Sequence, residues 1–177
     1  RGLGDVYKRQ LLKTAPALAL NPRTAIYITQ VHDVTDLSLH ESVLAAYHDN
    51  PSASYIAGVE REDYFPGGYL VVDGDDRITG IIEKPGAENR PSTLVNLVAH
   101  IHNDAARLLD EIARQYGLAA TPDDHYERAM DVLMKESVFK VVRYVGPWNA
   151  LKYPWHVLDV MDYFLSRIQG QTIHPTA

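Results

Sequence analysis

A chain of 177 residues with 46% apolar and 23% charged side chains has the mixture expected of one compact domain rather than a disordered segment. Its net charge of -6 argues against a surface built to follow nucleic acid or anionic lipid, and no apolar run reaches the roughly 18 residues that cross a bilayer. The absence of cysteine removes disulfides, thiolate chemistry and the common structural zinc sites, and suits a cytoplasmic protein.

The opening string RGLGDVYKRQ resembles translated adapter sequence, so residues 1–10 are expected to be a non-native leader and the fold is read from residue 11 onward. Residues 24–31 (TAIYITQV) are β-branched and aromatic and predict a strand. Asp33 then falls at or just past its C-terminal end, where ligands gather in open parallel sheets. Ser38 followed by Glu41 has capping-box spacing, and Leu39, Val43, Leu44 and Tyr47 form the apolar stripe of a helix over 39–49 that Asn50-Pro51 ends. Residues 54–59 predict the next strand, completing a β-α-β unit of parallel strands.

Two β-rich runs, 68–73 and 77–83, flank Gly74-Asp75-Asp76 and predict a hairpin. Residues 85–91 are a loop by composition, and 93–102 another strand. Leu108, Leu109, Ile112 and Tyr116 mark a helix closed by Gly117. Tyr126, Ala129, Met130, Leu133 and Met134 give the cleanest helical period, with Asp123 or Asp124 suited to cap it. Residues 138–145 predict a strand. Leu158, Met161, Leu165 and Ile168 predict a last helix with Pro154 in its first turn. The alternation predicts an α/β domain with a mixed sheet.

Three constellations could carry chemistry. Asp33 is placed either as a turn residue or as a single carboxylate for a hard cation such as Mg2+, which takes carboxylate, phosphate and water oxygens. Glu83-Lys84-Pro85 is either a solvated strand end or a pair in which the carboxylate accepts from ligand hydroxyls and the ammonium meets a phosphate. His100 and His102 share a strand face with chelating spacing, but nothing nearby completes a metal site, and they read as structural or exposed. Trp148, Tyr153 and Trp155 read as core rather than as a stacking platform. No Gly-rich phosphate or dinucleotide loop occurs.

In order, these pieces resemble the sugar-phosphate nucleotidyltransferase family, which includes glucose-1-phosphate thymidylyltransferases and mannose-1-phosphate guanylyltransferases. The family strand ending in Gly-Asp resembles Tyr27 to Asp33. Its Y-G-V-V-x-x-D…V-x-x-I-x-E-K-P segment is similar to Gly68 through Asp73 and Ile78 through Pro85. Its N-x-G-I-Y-x-F strand resembles Asn96 to His102, and its W-x-D-V-G-Y-P-W-D-L-L segment resembles WNALKYPWHVL at 148–158.

The resemblance implies a mainly parallel, Rossmann-like mixed sheet flanked by helices, with a partial nucleotidyltransferase domain at 11–170 whose N-terminal nucleotide-binding part is missing. It implies that Asp33 holds Mg2+ and serves catalysis with Lys84. Gly68, Glu83, Lys84 and Asn96 would bind the sugar phosphate. The substrates would be a sugar-1-phosphate and a nucleoside triphosphate, joined with release of pyrophosphate.

Three departures bear on activity. The G-x-G-T-R-L loop is absent, Ala150 stands where the second metal-binding Asp is expected, and Val98 replaces a glycine of the N-x-G-I-Y strand. The chain as given is therefore expected to be inactive. The alternative is a non-catalytic sugar-phosphate or nucleotide-sugar binding domain that regulates or positions an attached acyltransferase. Residues 171–177 resemble either the entry to a left-handed β-helix or a frayed tail, and homo-oligomerisation through a missing C-terminal domain is open.

Overall fold

The computed structural model describes residues 11–13, 24–118 and 125–170. The leader at 1–10, the cap at Asp123 or Asp124 and the tail at 171–177 lie outside the described residues.

From residue 24 on, the described strands and α-helices follow one another in the order β1 (Ile26–Thr29), β2 (Asp33–Thr35), α1 (Leu37–Asp49), β3 (Ser54–Glu60), β4 (Gly68–Val72), β5 (Ile78–Glu83), β6 (Leu94–His102), α2 (Ala105–Gly117), α3 (His125–Glu136), β7 (Phe139–Tyr144), β8 (Trp148–Ala150) and α4 (His156–Leu165). Six strands form the main sheet in the order β5-β4-β6-β3-β7, with β1 also paired to β6. Strands β3 and β7 pair in parallel, whereas β6 runs antiparallel to β1, β3 and β4. Four strands (β1, β3, β4 and β7) thus share one direction, and β5 and β6 are reversed. The β1-α1-β3 unit keeps its expected parallel sense, but β6 is inserted between its two strands.

Alternation along β6 divides the core. Val95, Leu97, Ala99 and Ile101 join Leu39 and Val43 of α1 on one face. On the other, Leu94 joins Ile56 and Leu70 against Leu108 and Ile112 of α2 and Met130 and Leu133 of α3. Each face is covered because strand period 2 and helix period 3.6 both present continuous apolar surface. The β4–β5 hairpin forms as expected. Asp73 Oδ1 accepts from the Asp75 and Arg77 amides (3.0 Å each), while Asp76 turns through φ 57.

Some sequence expectations change. Ser38 lies inside α1; the N-cap is Asp36, which makes no side-chain cap bond. Its Oδ1 instead accepts from Tyr163 Oη (2.5 Å) within α4 and from Arg167 (2.6 Å) just beyond it. Leu44, expected in the stripe, is exposed because the covered arc of α1 is only as wide as Leu39 and Val43 require. Helix α4 is also present but buries no residue: Leu158, Met161, Leu165 and Ile168 are all exposed. Tyr153 and Trp155 are exposed rather than core, and stack on each other with centroids 4.7 Å apart. Trp148 is half-buried, tilted on Phe65 at 4.6 Å. Among the described residues no helix is long and apolar enough to cross a membrane.

Ile112 is fully buried between α2 and the sheet. Its replacement by Ala should cost about 2–5 kcal/mol in urea unfolding, against less than about 0.5 for the exposed Leu44→Ala. Equal effects would contradict the assigned core.

Candidate functional site

Three of the sequence-predicted residues meet at one end of the β5-β4-β6 edge. Gly68 opens β4 directly opposite Glu83, the last residue of β5. A Cβ on Gly68 would stand 3.1 Å from Glu83 Oε2, 3.2 Å from Ile81 Cγ2 and 3.5 Å from Asn96 Cβ. Glycine therefore leaves open a small space walled by Glu83 and Asn96. Lys84 follows at φ 46, its amide donating to Gly67 O (3.0 Å) and its ammonium 3.4 Å from Glu83 Oε1. A left-handed backbone on a side chain larger than Gly costs free energy and persists only where its surroundings impose it.

Asn96 is held from behind by a buried relay that the sequence reading did not anticipate. Its Oδ1 lies 2.9 Å from His100 Nε2; His100 Nδ1 lies 2.7 Å from Tyr126 Oη, and His102 Nε2 lies 2.9 Å from the same hydroxyl. An amide oxygen only accepts, so His100 Nε2–H donates to it. The neutral ring must then accept at Nδ1 from Tyr126 O–H, whose oxygen in turn accepts from His102 Nε2–H. His102 Nδ1 ends the chain, buried and without a partner. With its oxygen taken, Asn96 presents its NH2 group as a donor to a ligand.

Burial pushes the His100 pKa down to about 4. Burial, followed by the nearby His100, holds His102 well below the usual range, and burial raises Tyr126. The two histidines are thus structural, as expected, but fully buried. Their spacing with Asn96 (96, 100, 102) was the available signal, since all three share one strand face.

Asp33 is not on the main sheet. It opens β2, which pairs antiparallel with β8, and its register partner is Ala150. Its Oδ1 accepts from Trp148 Nε1–H at 3.0 Å. Asp33 and Val98 line one cavity of only about 10 Å³. Among the described residues no group of three or more His, Cys, Asp and Glu could hold a metal ion. Among the described residues, one Asp33 oxygen is engaged by the indole and the Ala150 side chain opposite offers no oxygen, so a Mg2+ there would have one Asp33 oxygen and would take the rest of its shell from phosphate and water.

Lys152 joins the two halves, and sequence reasoning missed it. Its Nζ donates to Pro66 O (3.0 Å) and lies 3.9 Å from the Phe65 ring centroid. Burial lowers its pKa, Glu83 and Asp33 oppose that shift, and Lys84 adds to it. Lys152 therefore sits in the field of every charged residue the sequence singled out. It also borders a cleft of about 350 Å³ lined by Arg61, Phe65, Trp148, Asn149 and His156. The available signal was a lysine two positions after the residue expected to be a metal carboxylate.

The fold is that of the sugar nucleotide pyrophosphorylases. An apo UDP-glucose pyrophosphorylase superposes with a TM-score of 0.77 over 95% of this chain and 62% of that one, at 14% identity. A glucose-1-phosphate thymidylyltransferase from Bacillus anthracis gives 0.69 over 93% and 63%, at 11% identity. No family model matches the chain. In sequence, it is 29% identical over 114 residues to a bifunctional sugar-1-phosphate nucleotidylyltransferase/acetyltransferase of Sulfurisphaera tokodaii, covering 64% of this chain. It is 29% identical over 101 residues, 57% of this chain, to the bifunctional protein GlmU of Methanocaldococcus jannaschii. The chain spans about a quarter of the length of these curated relatives (27% and 24%). In sequence and in fold it resembles the sugar-phosphate nucleotidyltransferases.

Because the folded pKa of His100 and of His102 lies below the unfolded value near 6.5, acid favours the unfolded chain, which takes up protons the folded one refuses. Stability should be flat above about pH 7 and fall as the pH drops from there toward 4, by on the order of 3 kcal/mol for His100 alone. Urea midpoints between pH 7 and 5, where most carboxylates stay ionised, check this. A constant midpoint over that window would show that the imidazoles are not held neutral.

Proposed function

We propose that this chain is the sugar-phosphate-binding part of a nucleotidyltransferase domain spanning residues 11–170. The parent protein would form a nucleotide sugar from a sugar-1-phosphate and a nucleoside triphosphate. The observation that carries the reading is the meeting of Gly68, Glu83 and Asn96 around one small polar space, with Lys84 and Lys152 beside it. Glu83 can accept from two ligand hydroxyls, Asn96 can donate to a third oxygen, and an ammonium can meet the phosphate.

In the reaction a phosphate oxygen of the sugar phosphate bonds to the α-phosphorus, the bond to the β-phosphate bridging oxygen breaks, and pyrophosphate leaves. Such a transfer depends on alignment and charge neutralisation. The residues of this chain hold and orient the sugar phosphate for it. Mg2+, which the resemblance implies, would be held by the second oxygen of Asp33 among the described residues, and no step is assigned to it. Related proteins support the reading by their names and substrates: a UDP-glucose pyrophosphorylase structure contains UDP-glucose, and one from Acinetobacter baumannii contains UTP.

A second reading, a non-catalytic domain that binds a sugar phosphate and positions an attached acyltransferase, is favoured by Ala150 at the place opposite Asp33. A G-x-G-T-R loop upstream of residue 11 in the parent supports catalysis; a complete parent lacking it supports the binding domain.

Calorimetric titration of this chain with α-D-glucose 1-phosphate should show binding without turnover. Asn96→Ala and Glu83→Gln should each weaken it about tenfold, the loss of one hydrogen bond to a polar ligand. Unchanged affinity in both variants would move the sugar elsewhere.

A further inference from the structure

Lys152 and Arg61 line the cleft together with Asp159, and the local backbone shape explains how Lys152 is aimed. Leu151 N donates to His32 O (2.8 Å), extending the β2–β8 ladder by one bond past Ala150. The next amide reverses direction: Lys152 N donates to Ala150 O (3.0 Å), two residues back, as in a γ-turn. His156 Nδ1 lies 2.6 Å from the same carbonyl and braces it. This tight turn sends the Lys152 side chain toward Pro66 and the Phe65 ring instead of outward along the strand.

The ammonium is thereby fixed. One of its three N–H groups is spent on Pro66 O, leaving two donors. Arg61 lines the same cleft, its guanidinium 6.0 Å from the Trp148 ring centroid. Lys152 and Arg61 bring two positive charges to the cleft lining against the carboxylate of Asp159, and the Lys152 ammonium keeps two donors for an anion. A divalent cation seated between Asp33 and residue 150 would find no side-chain oxygen on the Ala150 side.

We propose that Lys152, with Arg61 of the same cleft, is a phosphomonoester subsite that holds the phosphate of the bound sugar directly, so that this chain binds its ligand without a divalent cation. The inference rests on the sugar-phosphate reading given above and names the group that seats the phosphate.

The test is calorimetry on the purified chain with α-D-glucose 1-phosphate, run in EDTA and again with Mg2+, alongside Mn2+ titration followed by electron paramagnetic resonance. The expected result is equal affinity in both buffers and no tight Mn2+ site. Lys152→Met and Arg61→Met should each weaken binding about tenfold or more, the loss of a charge-assisted hydrogen bond, while Lys152→Arg retains most of it. Either Met variant suffices should the other fold poorly. Affinity that appears only with Mg2+ and disappears in Asp33→Asn, with Lys152→Met and Arg61→Met unaffected, would overturn the subsite and leave the sugar-phosphate reading standing. Absence of binding in both buffers would sink the two together.

Discussion

The structure depends on the nine residues of β6 and on their direction. Running against β1, β3 and β4, this strand bonds along both edges and joins β1 and the β4–β5 hairpin to β3. Its side chains alternate between two covered faces, so the same strand that seals the core against α1 also carries Asn96, His100 and His102 on the other face. A slip of one residue in its pairing would exchange the two sets and leave three polar groups facing α1. The register of β6 and the placement of Asn96 are one constraint.

That constraint explains why two imidazoles and a phenol are tolerated in the interior. Every bond of the relay uses a neutral partner, and burial opposes protonation of either ring. Desolvated polar groups are costly when unpaired and rigid when paired. Here one ring nitrogen, His102 Nδ1, is buried with no protein partner at the end of the relay. The benefit falls on Asn96, whose amide is held in place by its bond to His100.

Local features were legible in the sequence and long-range ones were not. The helix over α3, the β4–β5 hairpin and strand β6 follow from periodicity and turn residues that act within a dozen positions. Gly68, Glu83 and Asn96 could be carried over by resemblance, and their proximity follows once β4 pairs with β5 and β6. The small β2–β8 sheet joins residues more than a hundred positions apart, and three-residue strands leave no periodic trace. The Ser38 capping motif was outcompeted because Asp36 already fills the cap position and its carboxylate is drawn to Tyr163 and Arg167. The apolar stripe of α4 predicts a helix correctly yet says nothing of which surface it meets. Lys152 was invisible for the same reason as β8: its role comes from a reversal of the backbone, which composition does not record.

The left-handed backbone of Lys84 has a consequence for how this site would respond to selection. A glycine there would relax the strain and gain on the order of 1 kcal/mol, while deleting the ammonium next to Glu83. Thermal tolerance and ligand affinity therefore pull this codon in opposite directions. A lineage released from the need to bind phosphate would be expected to drift toward Gly at position 84, and a lysine retained there carries a small standing load that only function repays.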